Sequence, residues 1–293
     1  MAINRLNFGI AVSVIAAFLL PGFVLADGKL SLRFQGGGTH ILGGDVNHGT
    51  KAFLNPGVWV VRSGGSRGVH DGYEFGGDII FALTPRLGIG IGVGYMQISR
   101  HSEMSISPEE PSLSSMLLIV KPRLSAMPIR AGLYLTLPWR GKFNFLADFG
   151  LSYYLRARYS DEPMSLLFLG ETLSSYILID THAESSKIPI GFHAGISLEY
   201  ELGTNLWLYL GAWGRYARFR GWEGTSMLDS NYEPPVSELE QGILYYEVVP
   251  TVIHTPRLLM VQSSPPDGPD GFPRQAIIDF SGVSLQVGIR IRL

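Results

Sequence analysis

The chain has 293 residues, of which 46% are hydrophobic and only 16% are charged, and its formal net charge is −2. Soluble domains usually have about a quarter of their residues charged. The near-neutral charge provides no basic field, so nucleic acid is not expected as a partner. The sequence contains no Cys, which excludes a disulfide framework, a zinc–cysteine site and a thiol nucleophile.

Residues 1–26 have the pattern of a cleavable signal peptide. Arg5 precedes an apolar stretch over residues 8–20, and Val24, Leu25 and Ala26 occupy the cleavage position. A single membrane anchor is the alternative, but the apolar stretch is short and is followed by Pro21 and Gly22. We therefore expect cleavage after residue 26 and an exported domain over residues 27–293.

Eight later segments alternate apolar and polar residues, which is the pattern of strands with two different faces. They begin near Leu30, Tyr73, Gly88, Ile129, Phe143, Ile188, Leu206 and Val283. In the last of them, Ile291 and Leu293 share the apolar face and Arg290 and Arg292 share the polar face. An open edge at such a strand would be prone to aggregation, so we expect it to be paired on both sides within a closed barrel.

Short and long connections alternate strictly between these segments. The short ones lie at 84–86, 138–142 and 202–205, and the long ones at about 40–71, 101–115, 159–187 and 221–276. This asymmetry is typical of outer-membrane barrels, which have short periplasmic turns and longer extracellular loops. Aromatic residues of the apolar face also fall at the two ends: Tyr73, Phe75, Tyr95, Tyr153, Phe192 and Tyr216 near the long loops, and Phe81, Trp139, Phe143 and Tyr200 near the short turns. Two such belts predict that the apolar face contacts lipid.

The sequence thus predicts an all-β fold, a closed antiparallel up-and-down transmembrane β-barrel of eight strands after a cleaved signal peptide. A ten-stranded barrel is the alternative, because residues 243–249 and 258–261 are apolar enough to form strands. The prolines around them favour a hairpin above the membrane instead. Residues 164–169 and 176–179 could likewise be either barrel strands or a hairpin above the membrane.

The predicted inward face carries charges of both signs. Its members are Arg33, Glu74, Asp78, Arg130, Asp148, Arg156, His193, Glu199, Glu201, Arg215, Arg290 and Arg292. The lumen of an eight-stranded barrel is just wide enough for side chains to fill it, and buried charges must be paired. We therefore expect a salt-bridged polar network in the lumen, with a gated path through the same charges as the alternative. Inward-facing glycines at 88, 90, 92 and 94 would make room for long neighbours.

A catalytic set could be drawn only from His193, Ser197, Glu199 and Asp148, as a Ser–His–carboxylate arrangement. Residues four apart on a strand are about 13 Å apart, however, which places Ser197 beyond the reach of His193. No motif in the sequence indicates a metal or another cofactor. We therefore expect a protein that is not an enzyme. Trp207, Tyr209 and Trp213 on the inner face favour a narrow channel or a conduit for hydrophobic solutes as an alternative.

The end of the chain fits the assembly signal of outer-membrane barrels. This signal has eight positions: a polar residue, any residue, Gly, any two residues, a hydrophobic residue, any residue and a final hydrophobic residue. Gln286, Gly288, Ile291 and Leu293 occupy these positions, with Leu at the end where an aromatic residue is common. Through this motif and its architecture the chain resembles the small bacterial outer-membrane β-barrel superfamily, which includes outer-membrane protein X and the transmembrane domain of outer-membrane protein A. The resemblance implies recognition by the barrel-assembly machinery and insertion into outer-membrane lipid of a Gram-negative-type envelope.

The long loops hold more than a third of the chain after residue 26, whereas the lumen is expected to be closed. The sequence therefore favours a monomer with a structural or surface-interaction role carried by its extracellular loops and an unidentified extracellular ligand. A conduit like outer-membrane protein W is one alternative. A lipid-modifying hydrolase is another.

Overall fold

The computed structural model describes residues 30–55, 59–108, 114–232, 234–248, 256–266 and 271–293. The predicted signal peptide at residues 1–26 lies outside this part of the chain. The described elements are β1 (Leu30–Gly44), α1 (Asp45–Phe53), β2 (Val60–Gly64), β3 (Asp71–Ala82), β4 (Leu87–Ser99), β5 (Ser102–Ser107), β6 (Ser114–Val120), β7 (Arg123–Pro138), β8 (Phe143–Asp161), β9 (Met164–Leu169), β10 (Thr172–Ser185), β11 (Ile190–Gly203), β12 (Leu206–Tyr216), β13 (Arg218–Phe219), β14 (Trp222–Ser230), β15 (Val236–Val248), β16 (Arg257–Gln262) and β17 (Ile278–Arg292).

Eight long strands close into an antiparallel barrel. Around it the order is β1, β3, β4, β7, β8, β11, β12 and β17, and β17 returns to pair with β1. The prediction of eight strands is confirmed and the ten-stranded alternative is wrong, because β15 pairs with β16 and β9 pairs with β10 outside the barrel wall. The tight turns between β3 and β4, β7 and β8, and β11 and β12 lie where the sequence predicts them.

No helix in the described part of the chain is long and apolar enough to cross a membrane.

The predicted long loops form further strands that continue the sheet of the barrel beyond its wall. Their order is β2, β5, β6, β9, β10, β14, β15 and β16, and β10 also pairs with the far end of β8. Helix α1 packs mainly against β16. The predicted start of the first loop at residue 40 is wrong, since β1 runs to Gly44 and leads directly into α1. We call this part, built from β2, α1, β5, β6, β9, β10 and β14–β16, the extramembrane half.

The two faces of the barrel wall differ as the alternation predicts. In β17, Leu285 faces outward and is 67% exposed, whereas Gln286 faces inward and is 1% exposed. Outward aromatic rings cluster at both ends of the wall: Tyr73, Phe75 and Tyr95 within 6.5 Å of one another, and Trp139, Phe143 and Tyr200 in successive contacts of 5.0–6.2 Å. The predicted lipid-facing assignment of these faces therefore agrees with the observed exposure.

The height of this apolar band suits a bilayer. On β11, Phe192 marks the upper belt and Tyr200 the lower one. Their separation corresponds to about 27 Å along a strand, which a tilt of roughly 40° reduces to about 20 Å, close to the ~25 Å band of outer-membrane barrels.

The interior of the barrel is layered. Ile80, Tyr134 and Leu146 form a small apolar cluster near the short turns. Charged side chains occupy the lumen beyond it. A larger apolar core, which includes Tyr154, Trp222 and Phe280, then fills the top of the barrel. A further apolar cluster around Met104, Leu118 and Ile179 continues into the extramembrane half.

Candidate functional site

Arg33 on β1 lies at the centre of the lumen and is completely buried. Its guanidinium Nη1 is 3.5 Å from Asp148 Oδ2, and its Nε is 3.9 Å from Asp78 Oδ2. The same group stacks at 4.3 Å over the Tyr209 ring and at 5.0 Å from that of Trp213. Two carboxylates and two aromatic rings thus surround the Arg33 guanidinium, and both kinds of contact favour its burial.

Arg130 on β7 bridges two acidic residues of β3. Its Nη1 and Nη2 atoms lie 3.4 Å from Glu74 Oε1 and 3.1 Å from Asp78 Oδ1. The Arg130 guanidinium also stacks at 4.5 Å on Trp213. Glu74 has a second cation, Arg215 on β12, which also donates to Ser284 Oγ at 2.8 Å. With the pairs of Arg33, one ion network thus joins five barrel strands, β1, β3, β7, β8 and β12.

Arg290 on β17 forms a separate ion pair with Glu199 on β11. The Arg290 Nη2 to Glu199 Oε2 distance is 2.6 Å, and both residues are buried. The guanidinium groups of Arg290 and Arg292 lie 4.8 Å and 4.7 Å from the ring of Trp207. Arg292 itself is exposed at the short-turn end, and Glu201 is half-buried there. Both therefore belong to the rim of the lumen.

Arg156 is the one predicted network residue that does not face the lumen. Met127 pairs with Leu155 and Ser125 with Arg158, so β8 contains an extra residue at this point. The φ of Arg156 is +51°, the only positive value among described residues other than Gly. Such a β-bulge reverses the alternation, and beyond it Tyr159 and Asp161 face inward while Arg156 and Arg158 face outward. The prediction for Arg156 is wrong for this reason.

His193 has a partner that the sequence does not indicate. Its Nδ1 shares a hydrogen bond of 2.8 Å with Ser152 Oγ on the neighbouring strand. The partner is not Ser197, which the sequence places too far along β11 to reach His193. The pair is buried in the lumen. Only the cross-strand register of β8 and β11 brings these two side chains together, and no local motif encodes that register.

The glycines of β4 create the space for these side chains. A Cβ at Gly90 would lie 2.6 Å from Cε2 of Tyr134, and a Cβ at Gly92 would meet the Asp78 carboxylate. On β17, a Cβ at Gly288 would lie 2.7 Å from the Tyr209 hydroxyl. The expectation that inward glycines accommodate long neighbours is confirmed at Gly90, beside Tyr134, and Gly288 does the same for Tyr209.

Four arginines face four carboxylates inside the barrel: Arg33, Arg130, Arg215 and Arg290 with Glu74, Asp78, Asp148 and Glu199. The formal charges of this set sum to zero. Paired charges inside and a broad apolar band outside, flanked by two aromatic belts, are the features of a barrel built for a bilayer. The protein is a closed eight-stranded β-barrel of the membrane-spanning type.

Among known proteins, no family model matches the chain, and no curated protein matches its sequence. Among solved structures, it is similar to the outer membrane protease OmpT from Escherichia coli, with 10% identity, a TM-score of 0.39, and coverage of 93% of this chain and 99% of that one. The outer membrane protein OprG from Pseudomonas aeruginosa is 9% identical with a TM-score of 0.34, and the match covers 91% of this chain and 96% of that one. A major outer membrane protein from Thermus thermophilus is 12% identical with a TM-score of 0.33, and the match covers 90% of this chain and 99% of that one. Similarities this low carry no argument about function.

Two carboxyl groups above the lipid band are buried. Asp161, at the far end of β8, accepts hydrogen bonds from the backbone N–H groups of Lys121 and Glu162 at 3.1 Å and 2.9 Å. Burial nevertheless raises the pKa of Asp161 to about 7. Burial likewise raises the pKa of Glu247, on β15, to about 7. In the described residues, no group of three or more His, Asp or Glu is arranged to hold a metal ion.

Proposed function

We propose that the protein is a non-conducting, non-catalytic barrel of the outer membrane whose extramembrane half binds a partner at the cell surface. The observation that carries this proposal is the filled interior. Charged groups along a conducting pore must be available to passing ions, whereas the four lumen arginines all form ion pairs with carboxylates. The apolar core around Trp222 and Phe280 lies above these pairs and opposes the passage of water.

The inner aromatic residues support the same conclusion. Trp207 and Trp213 stack on arginines, and Tyr209 donates a hydrogen bond of 2.6 Å to Gln35 Oε1. These rings are therefore used to hold the charged network together. A conduit for hydrophobic solutes would need the same rings to line an open path.

The absence of catalysis is part of the proposal. A Ser–His pair hydrolyses esters when an acid orients the second ring nitrogen and when a substrate can reach the Ser. Ser152 and His193 satisfy the first distance, but no described carboxylate forms a hydrogen bond or ion pair with His193. Both residues are also buried inside the barrel. This arrangement favours a structural hydrogen bond.

The extramembrane half presents apolar side chains far from the lipid band. Met227 on β14 lies opposite Leu239 on β15, and the two are 44% and 72% exposed. Leu173 and Tyr232 are exposed as well. Apolar surface that neither lipid nor the core covers often marks a protein-binding surface, so a protein partner fits this part of the molecule best.

Planar-bilayer recording tests the filled lumen. The purified full chain is expected to insert without producing steady single-channel steps, because both the ion pairs and the apolar core would have to break to admit water. Insertion is verified in the same preparation by the protease resistance of the barrel strands. Steady, reproducible conductance steps from the inserted protein would overturn the proposal in favour of a channel.

Cysteine labelling on intact cells tests the placement of the extramembrane half. The chain has no Cys, so a single Leu239→Cys variant carries one thiol, which a membrane-impermeant maleimide is expected to label from outside. Lys142→Cys, in the exposed turn between β7 and β8, is the matched control and is expected to react only after the envelope is opened. The reverse labelling pattern would contradict the orientation.

A further inference from the structure

An open groove of about 460 Å³ lies on the outer surface of the barrel, where the lipid-facing band ends. It runs between the link from β10 to β11 and the segment from the end of β12 through β13. Six side chains dominate its lining: Lys187, Ile188, Ile190, Tyr216, Arg218 and Arg220. All six are exposed.

The position of the groove relative to the membrane follows from the strand pattern. Ala217 and Phe219 point into the core and are buried, so the side chains of Tyr216 and Arg218 point outward. Tyr216 lies opposite Phe192 in the upper aromatic belt. Arg218 lies two residues farther along the chain, which corresponds to about 5 Å in height. In the same register, Ile190 lies at the height of Arg218 and Ile188 at the height of Arg220. The cations and isoleucines of the groove thus share the level of the lipid headgroups, and Tyr216 lies below them at the edge of the hydrocarbon.

Local contacts hold the basic side of the groove in place. The side-chain stem of Lys187 lies across Gly221, where a Cβ would be 2.7 Å from Lys187 Cδ. Ser186 donates to the Gly221 carbonyl through both its backbone N–H and its Oγ, at 3.0 Å and 2.9 Å. Ser185 Oγ donates to the Lys187 carbonyl at 3.2 Å. The link that carries Lys187 is therefore ordered without a ligand.

The charge of the groove is unbalanced. Lys187, Arg218 and Arg220 form no ion pair with any described residue, and the described lining contains no Asp or Glu. Asp279 on β17, the cross-strand neighbour of Arg218, places one carboxylate beside these three cations. Nearby surface cations do have acidic partners: Arg158 lies 3.5 Å from Glu184, and Lys121 lies 3.0 Å from Glu162. Three cations beside exposed isoleucines and above Tyr216, with one neighbouring carboxylate, therefore form a local site for an amphiphilic anion.

We propose that this groove binds the phosphorylated headgroup of a lipid from the outer leaflet. Phosphate oxygens accept charge-assisted hydrogen bonds from Arg and Lys. The part of the lipid next to the headgroup lies against Ile188 and Ile190, and its acyl chain continues past Tyr216. A soluble phosphate compound would leave these side chains uncovered. The proposal rests on the proposed membrane location and is independent of partner binding by the extramembrane half.

Lipid retention tests the site. The full chain is inserted into phosphatidylcholine vesicles that contain either diphosphoryl lipid A or its dephosphorylated form, and lipid carried through detergent extraction is measured by native mass spectrometry. The wild type is expected to retain the phosphorylated form. A Lys187→Gln, Arg218→Gln, Arg220→Gln variant should bind it on the order of tenfold to 100-fold more weakly, because each headgroup cation contributes about fivefold.

The matched control neutralises three cations at the opposite end of the barrel, in the variant Arg86→Gln, Arg140→Gln, Lys142→Gln. It is expected to retain lipid like the wild type. If the triple groove variant fails to insert, Arg220→Gln alone carries the test, since Arg220 lies outside the strands, and a loss of about fivefold is expected.

Three outcomes would overturn the proposal: equal retention of both lipids by the wild type, equal losses in the groove and control variants, or displacement of the lipid by millimolar inorganic phosphate, which would indicate a site for a free anion. If the protein inserts and does not conduct but shows no lipid preference, only the proposal of lipid binding in the groove is rejected. Failure to insert into any vesicle would instead reject the proposed membrane function.

Discussion

The ion pair between Arg290 and Glu199 is the simplest unit of the lumen. Each residue projects from a different strand, and the two are joined by a bond of 2.6 Å away from solvent. Burying a pair of charges gains little compared with two apolar groups, whereas leaving one of them unpaired is costly. At the scale of single residues, the stability of the barrel therefore depends on matched charges more than on their number.

A double-mutant cycle on this pair tests that dependence. Arg290→Met and Glu199→Gln should each lower the free energy of unfolding by about 3–5 kcal/mol, and the double variant should lose much less than the sum. Urea titration of the protein in lipid vesicles measures all four free energies. Additive losses would show that the two side chains do not stabilise each other.

The alternation of side chains along a strand decides which of them meets lipid. Ile196 on β11 lies halfway between Phe192 and Tyr200 and is 57% exposed, so it faces the middle of the bilayer. The bulge at Arg156 shows the limit of this rule, since one extra residue turns the rest of β8 over. Beyond that point the pattern of the membrane segment no longer predicts which residues face inward.

A pair of substitutions on β11 tests the lipid-facing assignment. Ile196→Arg places a charge at the bilayer midplane and should destabilise the inserted barrel by about 2–4 kcal/mol, whereas Leu202→Arg, beyond the lower belt, should cost about 0–1 kcal/mol. Unfolding in vesicles of defined thickness measures both. Equal costs would mean that Ile196 does not face hydrocarbon.

The whole molecule consists of a barrel and an extramembrane half, and the apolar cluster around Trp222 and Phe280 contains residues of both. Asp161 lies at their junction, where it holds the backbone of Lys121 against the end of β8. Its pKa, raised to about 7 by burial, exceeds the value of an unfolded Asp. Between about pH 4 and 7 the folded state therefore keeps a proton that the unfolded chain releases, so stability from this group is full below about pH 4 and is lost by pH 7.

An Asp161→Asn variant tests this linkage in the full chain. Asn keeps an oxygen that can accept from Lys121 N–H but never ionises, so the variant should become more stable than the wild type as pH rises from 4 to 7, by up to about 2–4 kcal/mol, and the difference should stay constant above pH 7. Glu238→Gln, at an exposed position on β15, is the control and should show no such change. A pH-independent difference for Asp161→Asn would contradict the raised pKa.

The eight-stranded architecture follows from local information. Side chains alternate along each strand because a strand in lipid exposes one apolar face. Short turns alternate with long connections, and aromatic residues form two groups, as is typical of membrane-spanning barrels. The same alternation predicts the inward position of the arginines and carboxylates that form the lumen ion pairs, such as Arg33 and Asp148. It fails at Arg156, which faces outward, and Glu201 is only half-buried at the short-turn end.

Only the tertiary structure decided which of these side chains touch. The Ser152–His193 hydrogen bond, the bridging of Glu74 and Asp78 by Arg130, and the outward turn at Arg156 depend on cross-strand register. In the extramembrane half, consecutive strands form hairpins, but the pairings that join these hairpins, such as β6 with β9 and β10 with β14, connect segments distant in sequence. A local pattern determines the face of a strand because side chains alternate every residue, but register is determined by packing between distant segments, which no single stretch of sequence contains.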